Sequence, residues 1–190
     1  MIGQLPTSLN VGGVNYPIRS DYRPALVILQ AFADPDLTDV DKAIIAIECL
    51  YEDSDNIPSE YIQEAVDKAI WFLDCGTSNE EPNTGNKPRL YDFEQDEQII
   101  FSAINKVAGQ EVRALEYMHF WTFIGLFNEI GEGTFQTIVG IRSKLAKHQK
   151  LDKWEREYYR NNLSTVKLKR KYSESEQEAL SQLDRLLKGV

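Results

Sequence analysis

Residues 91–109 read YDFEQDEQIIFSAINKVAG, and this stretch sets the main constraint on how the chain folds. Its apolar side chains recur at helical spacing, which predicts a helix that begins at 91–93 and ends at Gly109. One carboxylate, that of Asp96, falls on the apolar stripe and should therefore be largely buried. The stripe comprises Phe93, Asp96, Ile100, Ala103, Ile104 and Val107.

A buried carboxylate needs a hydrogen-bond donor, because leaving the charge unpaired away from water is costly. We expect the donor for Asp96 to come from the segment 113–130 or from Arg142. Replacing a buried, paired Asp96 with alanine should then cost about 1–3 kcal/mol through the orphaned donor. Asp92, three residues before Gln95, is the expected helix cap.

The same periodicity in other segments predicts a mainly α, compact multi-helix protein. The clearest amphipathic helices begin at Thr38 and at 58–59, and residues 113–130, apolar nearly all round, predict a central buried helix. The expected buried stripes are Val40, Ala43, Ile44, Ile47, Leu50 and Tyr51 in the first helix, and Ile62, Ala65, Val66, Ala69, Ile70 and Leu73 in the second.

A small β-hairpin is predicted near the N-terminus. Residues 9–18 read LNVGGVNYPI, and paired glycines accept the positive φ angles that a two-residue hairpin turn needs. An isolated hairpin is only marginally stable, so this one should lie on the helical body.

Charge is unevenly distributed along the 190 residues, whose formal net charge is −9. Residues 1–135 carry 8 basic and 23 acidic side chains, whereas residues 136–190 carry 13 basic and 7 acidic ones. This asymmetry predicts an acidic helical body, with a loop at 77–88, and a basic helical C-terminal arm at 136–190. The length suits one structural domain that includes both.

No membrane or secretory segment is expected. The longest apolar stretch, 118–127, is far shorter than the roughly 20 residues of a membrane span, and the first ten residues do not read as a signal peptide. Two cysteines in helical, apolar segments fit a reducing cytoplasm.

Enzyme signatures are nearly absent: the sequence has no phosphate-binding loop, no nucleophile elbow and no HExxH. We therefore expect no catalysis, no cofactor and no metal. Asp92, Asp96 and His119 could still form a metal or acid–base site. The favoured interpretation is structural, with Asp92 as a cap and Asp96 as an acceptor for His119, Arg113 or Arg142.

The C-terminal segment interleaves basic and aromatic side chains. Residues 136–172 carry 11 basic and 3 acidic side chains, a pattern that can bind phosphates and bases or form a solvated helix face. The acidic body would repel nucleic acid, so nucleic-acid binding through 142–171 is the alternative to a protein partner. The candidate partner-binding residues are Trp154, Tyr158, Lys167, Lys169, Arg170, Lys171, Leu180, Leu183 and Leu187.

The last residues predict a helix capped by Ser173 and Glu176 whose leucine stripe must be covered by something. The stripe could fold back on its own body or dock on a neighbouring copy. We favour a homo-oligomer built head to tail through residues 150–190.

Three motifs together resemble one phage family. They are YDFEQD at 91–96, MHFWTF at 118–123, and the spaced residues Phe135, Ile138, Val139 and Arg142. In this order they resemble the Gp15-type proteins of siphophages and prophages, a helical family encoded in the tail gene cluster. Phe120 and Thr122 replace the tryptophan and lysine usual in that family. The motif residues are Tyr91, Asp92, Phe93, Asp96, His119, Trp121, Phe123 and Arg142.

The resemblance implies a function in tail morphogenesis without catalytic residues. It suggests a tail assembly chaperone that coats the long tape measure protein before the tail tube polymerises around it. The implied partners are the tape measure protein and the tail tube protein, and the implied location is the cytoplasm of the bacterial host.

Overall fold

The computed structural model describes residues 3–77 and 88–169 and, towards the C-terminus, 172–173, 176–179, 181 and 185. The described part is mostly helical, with one two-stranded antiparallel sheet near the N-terminus, which confirms the predicted fold class. The elements are β1 (Ser8–Val11), β2 (Val14–Pro17), α1 (Tyr22–Phe32), α2 (Asp39–Leu50), α3 (Ile62–Leu73), α4 (Glu97–Ala108), α5 (Phe120–Asn128), α6 (Thr134–Ala146), α7 (Lys153–Asn161) and α8 (Leu163–Val166).

Several sequence predictions lie outside the described residues. They concern most of the loop at 77–88, Arg170 and Lys171, and the leucines Leu180, Leu183 and Leu187. The predicted cap is present: the amide of Glu176 donates to Ser173 Oγ, and the amide of Ser173 donates to Glu176 Oε2.

The hairpin β1–β2 turns at Gly12 and Gly13, as predicted, with φ angles of 56° and 82°. Leu9, Val11 and Tyr16 point into the core, so the hairpin lies on the helical body. The amide of Gly12 donates to Glu64 Oε2 of α3 at 3.1 Å, which holds the turn against that helix.

The prediction of one continuous helix over 113–130 is wrong. A short 3₁₀ turn spans Val112–Ala114, and α5 begins only at Phe120. The residues between them pair with the start of α1: the amide of Tyr22 donates to the carbonyl of Met118, and Asp21 accepts from the amide of Met118 at 2.9 Å. These tertiary bonds satisfy backbone groups that a helix would otherwise pair internally.

The predicted buried stripes of α2 and α3 are only partly buried. In α2 the core receives Ala46, Ile47 and Leu50, whereas Val40 and Ile44 are 67 % and 54 % exposed. The neighbouring helices therefore cover only the C-terminal half of the predicted stripe. In α3 the buried residues are Ala65, Ala69, Phe72 and Leu73, while Ile62 and Ile70 are exposed.

A second, smaller core joins the basic segment to the body. Ile138 and Ile141 of α6 and Val166 of α8 are buried together, with Ile99 of α4 packed against them. The basic segment therefore packs on the body as far as α8. The other partly buried members of this core are Leu151, Tyr158 and Tyr159.

The hairpin turn offers a matched pair of substitutions. A Cβ on Gly12 would lie 2.7 Å from Cδ2 of Tyr61, whereas a Cβ on Gly13 would meet nothing within 4 Å. Gly13→Ala should cost about 1–2 kcal/mol, because an L-residue is strained at positive φ. Gly12→Ala carries the same strain plus a clash with an aromatic ring, so its urea midpoint should fall further. Equal midpoints would show that the turn is not pressed against Tyr61.

Candidate functional site

Asp96 and Arg142 form a buried ion pair at the centre of the predicted site. Their side chains are 2 % and 5 % exposed, and the guanidinium binds the carboxylate through two bonds, Nη1 to Oδ2 at 2.6 Å and Nη2 to Oδ1 at 2.9 Å. The structure therefore confirms that Asp96 is buried. Among the donors that the sequence offered, Arg142 is the one that binds its carboxylate.

The same guanidinium uses its remaining donors on backbone carbonyls. Nε donates to Val166 at 2.7 Å, Nη2 to Thr165 at 2.8 Å and Nη1 to Leu90 at 3.0 Å. An arginine has five N–H donors, so all of them are used here. Arg142 thus joins the segment before α4 to α6 and α8.

The segment before α4 is a turn, not the helical start that the sequence predicts. Oδ1 of Asp92 accepts from the amides of Glu94 and Gln95, at 2.9 and 2.6 Å, and α4 begins at Glu97. The amide of Asp92 donates to Asp96 Oδ2 at 3.0 Å. This tight turn supplies the backbone that aims the Asp96 carboxylate at Arg142.

Gln95 binds the C-terminal segment, a role that sequence reasoning missed. Its Nε2 donates to the carbonyl of Lys167 at 2.9 Å, and its Oε1 accepts from the amide of Lys169 at 2.8 Å. The side chain was expected to support the cap at Asp92. Its actual partners are 72 and 74 residues away in sequence, so no local pattern could have identified them.

The aromatic residues of the first motif pack together. Tyr91 and Phe93 lie with ring centroids 5.1 and 5.6 Å from that of Phe127, and Phe135 closes the cluster. Burial raises the pKa of Tyr91 above its ordinary value. These contacts pack the two residues that flank Asp92 against α5 and α6.

The residues of the second motif, 118–123, pack in a different part of the core. Nδ1 of His119 accepts from the amide of Trp121 at 3.0 Å, and Nε2 lies 3.0 Å from the carbonyl of Pro6, to which it donates in that tautomer. Trp121 Nε1 donates to the carbonyl of Phe72 at 2.8 Å. Phe123 stacks on Tyr22, with centroids 4.6 Å apart.

The polar set of Asp92, Asp96 and His119 is therefore divided. The two aspartates meet at the turn before α4, whereas both ring nitrogens of His119 are engaged at the N-terminal cap of α5. Within the described ranges no group of three or more His, Cys, Asp or Glu side chains could hold a metal ion. The motif residues whose contacts are given above act as packing and hydrogen-bonding groups.

The candidate partner-binding residues of the basic segment differ in accessibility. Trp154 is 56 % exposed, and Lys167 and Lys169 are also exposed. Tyr158 is half-buried against the second core. With Arg142 buried as well, the segment 142–171 offers fewer groups to a partner than its sequence suggests.

Lys144 and Glu155 form an ion pair that sequence reasoning also missed. Lys144 Nζ lies 2.7 and 2.8 Å from the two carboxylate oxygens of Glu155, which also accepts from the amide of Asp152 at 2.8 Å. The bond from Lys144 is the main cause that holds the pKa of Glu155 below its ordinary value. The three-residue spacing of Asp152 and Glu155, typical of a capping box, could have identified the bond between these two residues but not the pair with Lys144.

An exposed apolar strip lies on α2. Val40 and Ile44 are one helical turn apart and both are exposed. Asp39 is adjacent to Val40 in sequence, and Glu48 lies one turn beyond Ile44. Both carboxylates are exposed. Residues 34–74 together carry 12 acidic and 2 basic side chains. We call the group Asp39, Val40, Ile44 and Glu48 the acidic face.

Asp96→Ala should destabilise the protein more than the sequence alone indicates. Its partner is a buried guanidinium, and leaving one charge of a buried pair uncompensated costs about 3–5 kcal/mol. Asp67→Ala makes the same chemical change at an exposed position of α3 and should have little effect on urea unfolding. The double substitution Asp96→Ala/Arg142→Met should cost less than the two single ones together, because neither charge remains. Additive losses would contradict the pair.

Glu155→Gln tests the ion pair with Lys144 through pH. Because the folded-state pKa of Glu155 is lowered, its contribution is present above the unfolded pKa of about 4.3 and is lost as pH falls through the folded value. The stability difference between wild type and Glu155→Gln should therefore be constant near neutral pH and shrink in acid. Glu157→Gln controls for the loss of one negative charge from α7. A difference that grows in acid would refute the assignment.

Comparison with known proteins identifies the family. The family model described as Bacteriophage Gp15 protein matches residues 1–185, nearly the whole chain. No curated protein and no solved structure matches it. In the part of the chain that the structure describes, no helix is both long and apolar enough to cross a membrane. The chain therefore belongs to the bacteriophage Gp15 family, and with it to the phage structural or morphogenesis proteins.

Proposed function

We propose that this protein is a tail assembly chaperone that binds the phage tape measure protein in the cytoplasm of the bacterial host. It acts without catalysis, and the tail tube protein is a second partner that would displace it as the tube forms. Membership of a phage structural or morphogenesis family supports a function in building the particle. The acidic face supports binding to another protein.

The observation that carries the proposal is the exposure of Val40 and Ile44. Both lie on the stripe that amphipathic periodicity assigns to a core, yet they are 67 % and 54 % exposed. Apolar residues one turn apart on a helix are a typical contact for an amphipathic helix from a partner. Asp39 and Glu48 next to them favour a partner helix with lysine or arginine beside its apolar stripe.

The small size of the face suits a chaperone. Two aliphatic side chains with a rim of exposed charge bury little area, so one copy would bind one site weakly and reversibly. A long client with many such sites would hold several copies, and each copy could leave separately when the tube replaces it. Weak single contacts therefore agree with a function that ends in release.

The buried polar groups support a non-catalytic function. Arg142 uses all its donors inside the fold, and both nitrogens of His119 are engaged. Asp96 pairs with Arg142, and Asp92 accepts from backbone amides and pairs with Arg89. Among the described residues, every buried side-chain nitrogen or oxygen has a hydrogen-bond partner. Groups committed in this way maintain the fold and are not available for acid–base work.

Co-expression with the tape measure protein of the same phage tests the proposal. Wild type should keep that protein soluble and co-purify with it, whereas Val40→Ser/Ile44→Ser should weaken the complex by about tenfold or more, since burying one aliphatic side chain contributes about 1.5–3 kcal/mol. Both positions are exposed, so the variant should fold normally.

Val14→Ser is the matched control. Val14 is 54 % exposed, as Ile44 is, but it lies in the hairpin, away from α2 in sequence. It should co-purify with the tape measure protein as wild type does. The proposal is wrong if folded wild type neither solubilises nor binds the tape measure protein, or if the α2 variant binds as tightly as the control.

A further inference from the structure

We infer that the solvent-facing side of α7 docks on the acidic face of a second copy, so that free chains associate head to tail. The α7 surface is built around one large exposed aromatic ring and several cations. We call it the α7 face, and its members are Lys153, Trp154, Arg156, Glu157 and Arg160, all exposed.

Trp154 has no place in either core. It is 56 % exposed, although Glu155, the next residue, is buried, and Tyr158 and Tyr159, further along α7, pack on the second core. The helix is therefore anchored without Trp154. Tryptophan is among the side chains that contribute most to protein–protein binding, because it buries a large area at low conformational cost.

Several contacts fix the position of α7 on the body. Asp152 and Glu155 cap the first turn of α7, and Lys144 fixes Glu155 to α6. The following helix α8 is bound through Val166 to Arg142. A preformed surface loses little conformational entropy on binding, which favours association.

The two faces are complementary in charge and in apolar content. The α7 face has three cations and one carboxylate, and the acidic face has two carboxylates beside Val40 and Ile44. Trp154 could therefore pack on the aliphatic pair while cations and carboxylates meet around it. Since Trp154 and Ile44 are both exposed in the same chain, they do not cover each other, and the contact has to form between copies.

Two different surfaces in contact make a heterologous interface. Such an interface leaves one free face at each end of a pair, so further copies can add. The structure thus gives the predicted head-to-tail oligomer a donor surface, the α7 face, within the predicted region 150–190, and an acceptor surface on α2.

A second copy fits the α7 face better than nucleic acid does. Base stacking along a strand needs successive accessible aromatic rings, but Tyr158 and Tyr159 are half-buried and only Trp154 of this helix is well exposed. Residues 1–135 carry an excess of 15 acidic side chains, which repels phosphates and attracts the α7 face.

The inferred contact would compete with the client, a consequence that rests on the proposed function. If the tape measure protein uses the acidic face, each neighbouring copy covers a client site until the client displaces it. Self-association itself does not depend on that function, and it is measured without the tape measure protein.

Two full-length variants test the contact. Trp154→Asp removes the α7 face, and Ile44→Asp removes the acidic face, each at an exposed position. By light scattering at about 0.1 mM, far above a micromolar Kd, wild type should exceed its monomer mass of 21.8 kDa. The excess mass should fall as salt rises, because salt screens the charge pairs. Each variant alone should be a monomer.

Mixing the two variants gives the decisive result. The Ile44→Asp variant keeps its α7 face, which can bind the unaltered acidic face of the Trp154→Asp variant. The acidic face of the first variant and the α7 face of the second are altered, so no third copy can add. An equimolar mixture should therefore reach twice the monomer mass and stop there. Val14→Asp, an equally exposed change in the hairpin, should oligomerise as wild type does.

Three outcomes would overturn the inference. They are a monomeric wild type at this concentration, an oligomer that persists in both variants, and a mixture of the variants that stays monomeric. Binding of wild type to a single-stranded oligonucleotide that is lost in Trp154→Asp would assign the α7 face to nucleic acid instead. None of these outcomes bears on whether Val40 and Ile44 bind the tape measure protein.

Discussion

The buried pair of Asp96 and Arg142 is the interaction on which the rest of the structure depends. It brings together the turn before α4, the middle of α6 and the end of α8, three places that share no local sequence relation. A buried ion pair is weak evidence for net stability, because desolvation offsets much of the attraction. Its contribution here is geometric. Because every donor of the Arg142 guanidinium is used, the side chain has a single orientation that satisfies all five bonds, and this orientation fixes where the basic segment lies on the body.

Local sequence rules predicted the elements well where the deciding contacts are local. Gly12 and Gly13 specify the hairpin turn, Thr38 caps α2, and Gly109 ends α4 in the left-handed conformation. The burial of Asp96 was predictable for a similar reason, since it was the one charged residue on an apolar stripe. Its partner was one of several candidates, because choosing among them requires the path of the chain.

Two predictions failed because neighbouring segments, not local periodicity, decide the outcome. The residues before α5 look helical, yet Asp21 and the start of α1 pair with them and hold them extended. In α2 the period correctly identifies which side chains share a face, but it cannot say how far along the helix the neighbours extend. Val40 and Ile44 are members of the predicted stripe that remain exposed, at 67 % and 54 %.

The requirements of folding do not explain why Val40, Ile44 and Trp154 are large apolar residues, because both cores leave them exposed. Val40, Ile44 and Trp154 contribute little to the two cores, and exposed apolar groups favour aggregation. The carboxylates of residues 34–74 counter this tendency, since a strong net charge keeps copies with an apolar strip in solution. Under the proposed function, the same surface would bind a client while the surrounding charge keeps the protein in solution. The fold thus separates two groups of residues: the buried pair organises the body, whereas Val40, Ile44 and Trp154 lie outside both cores.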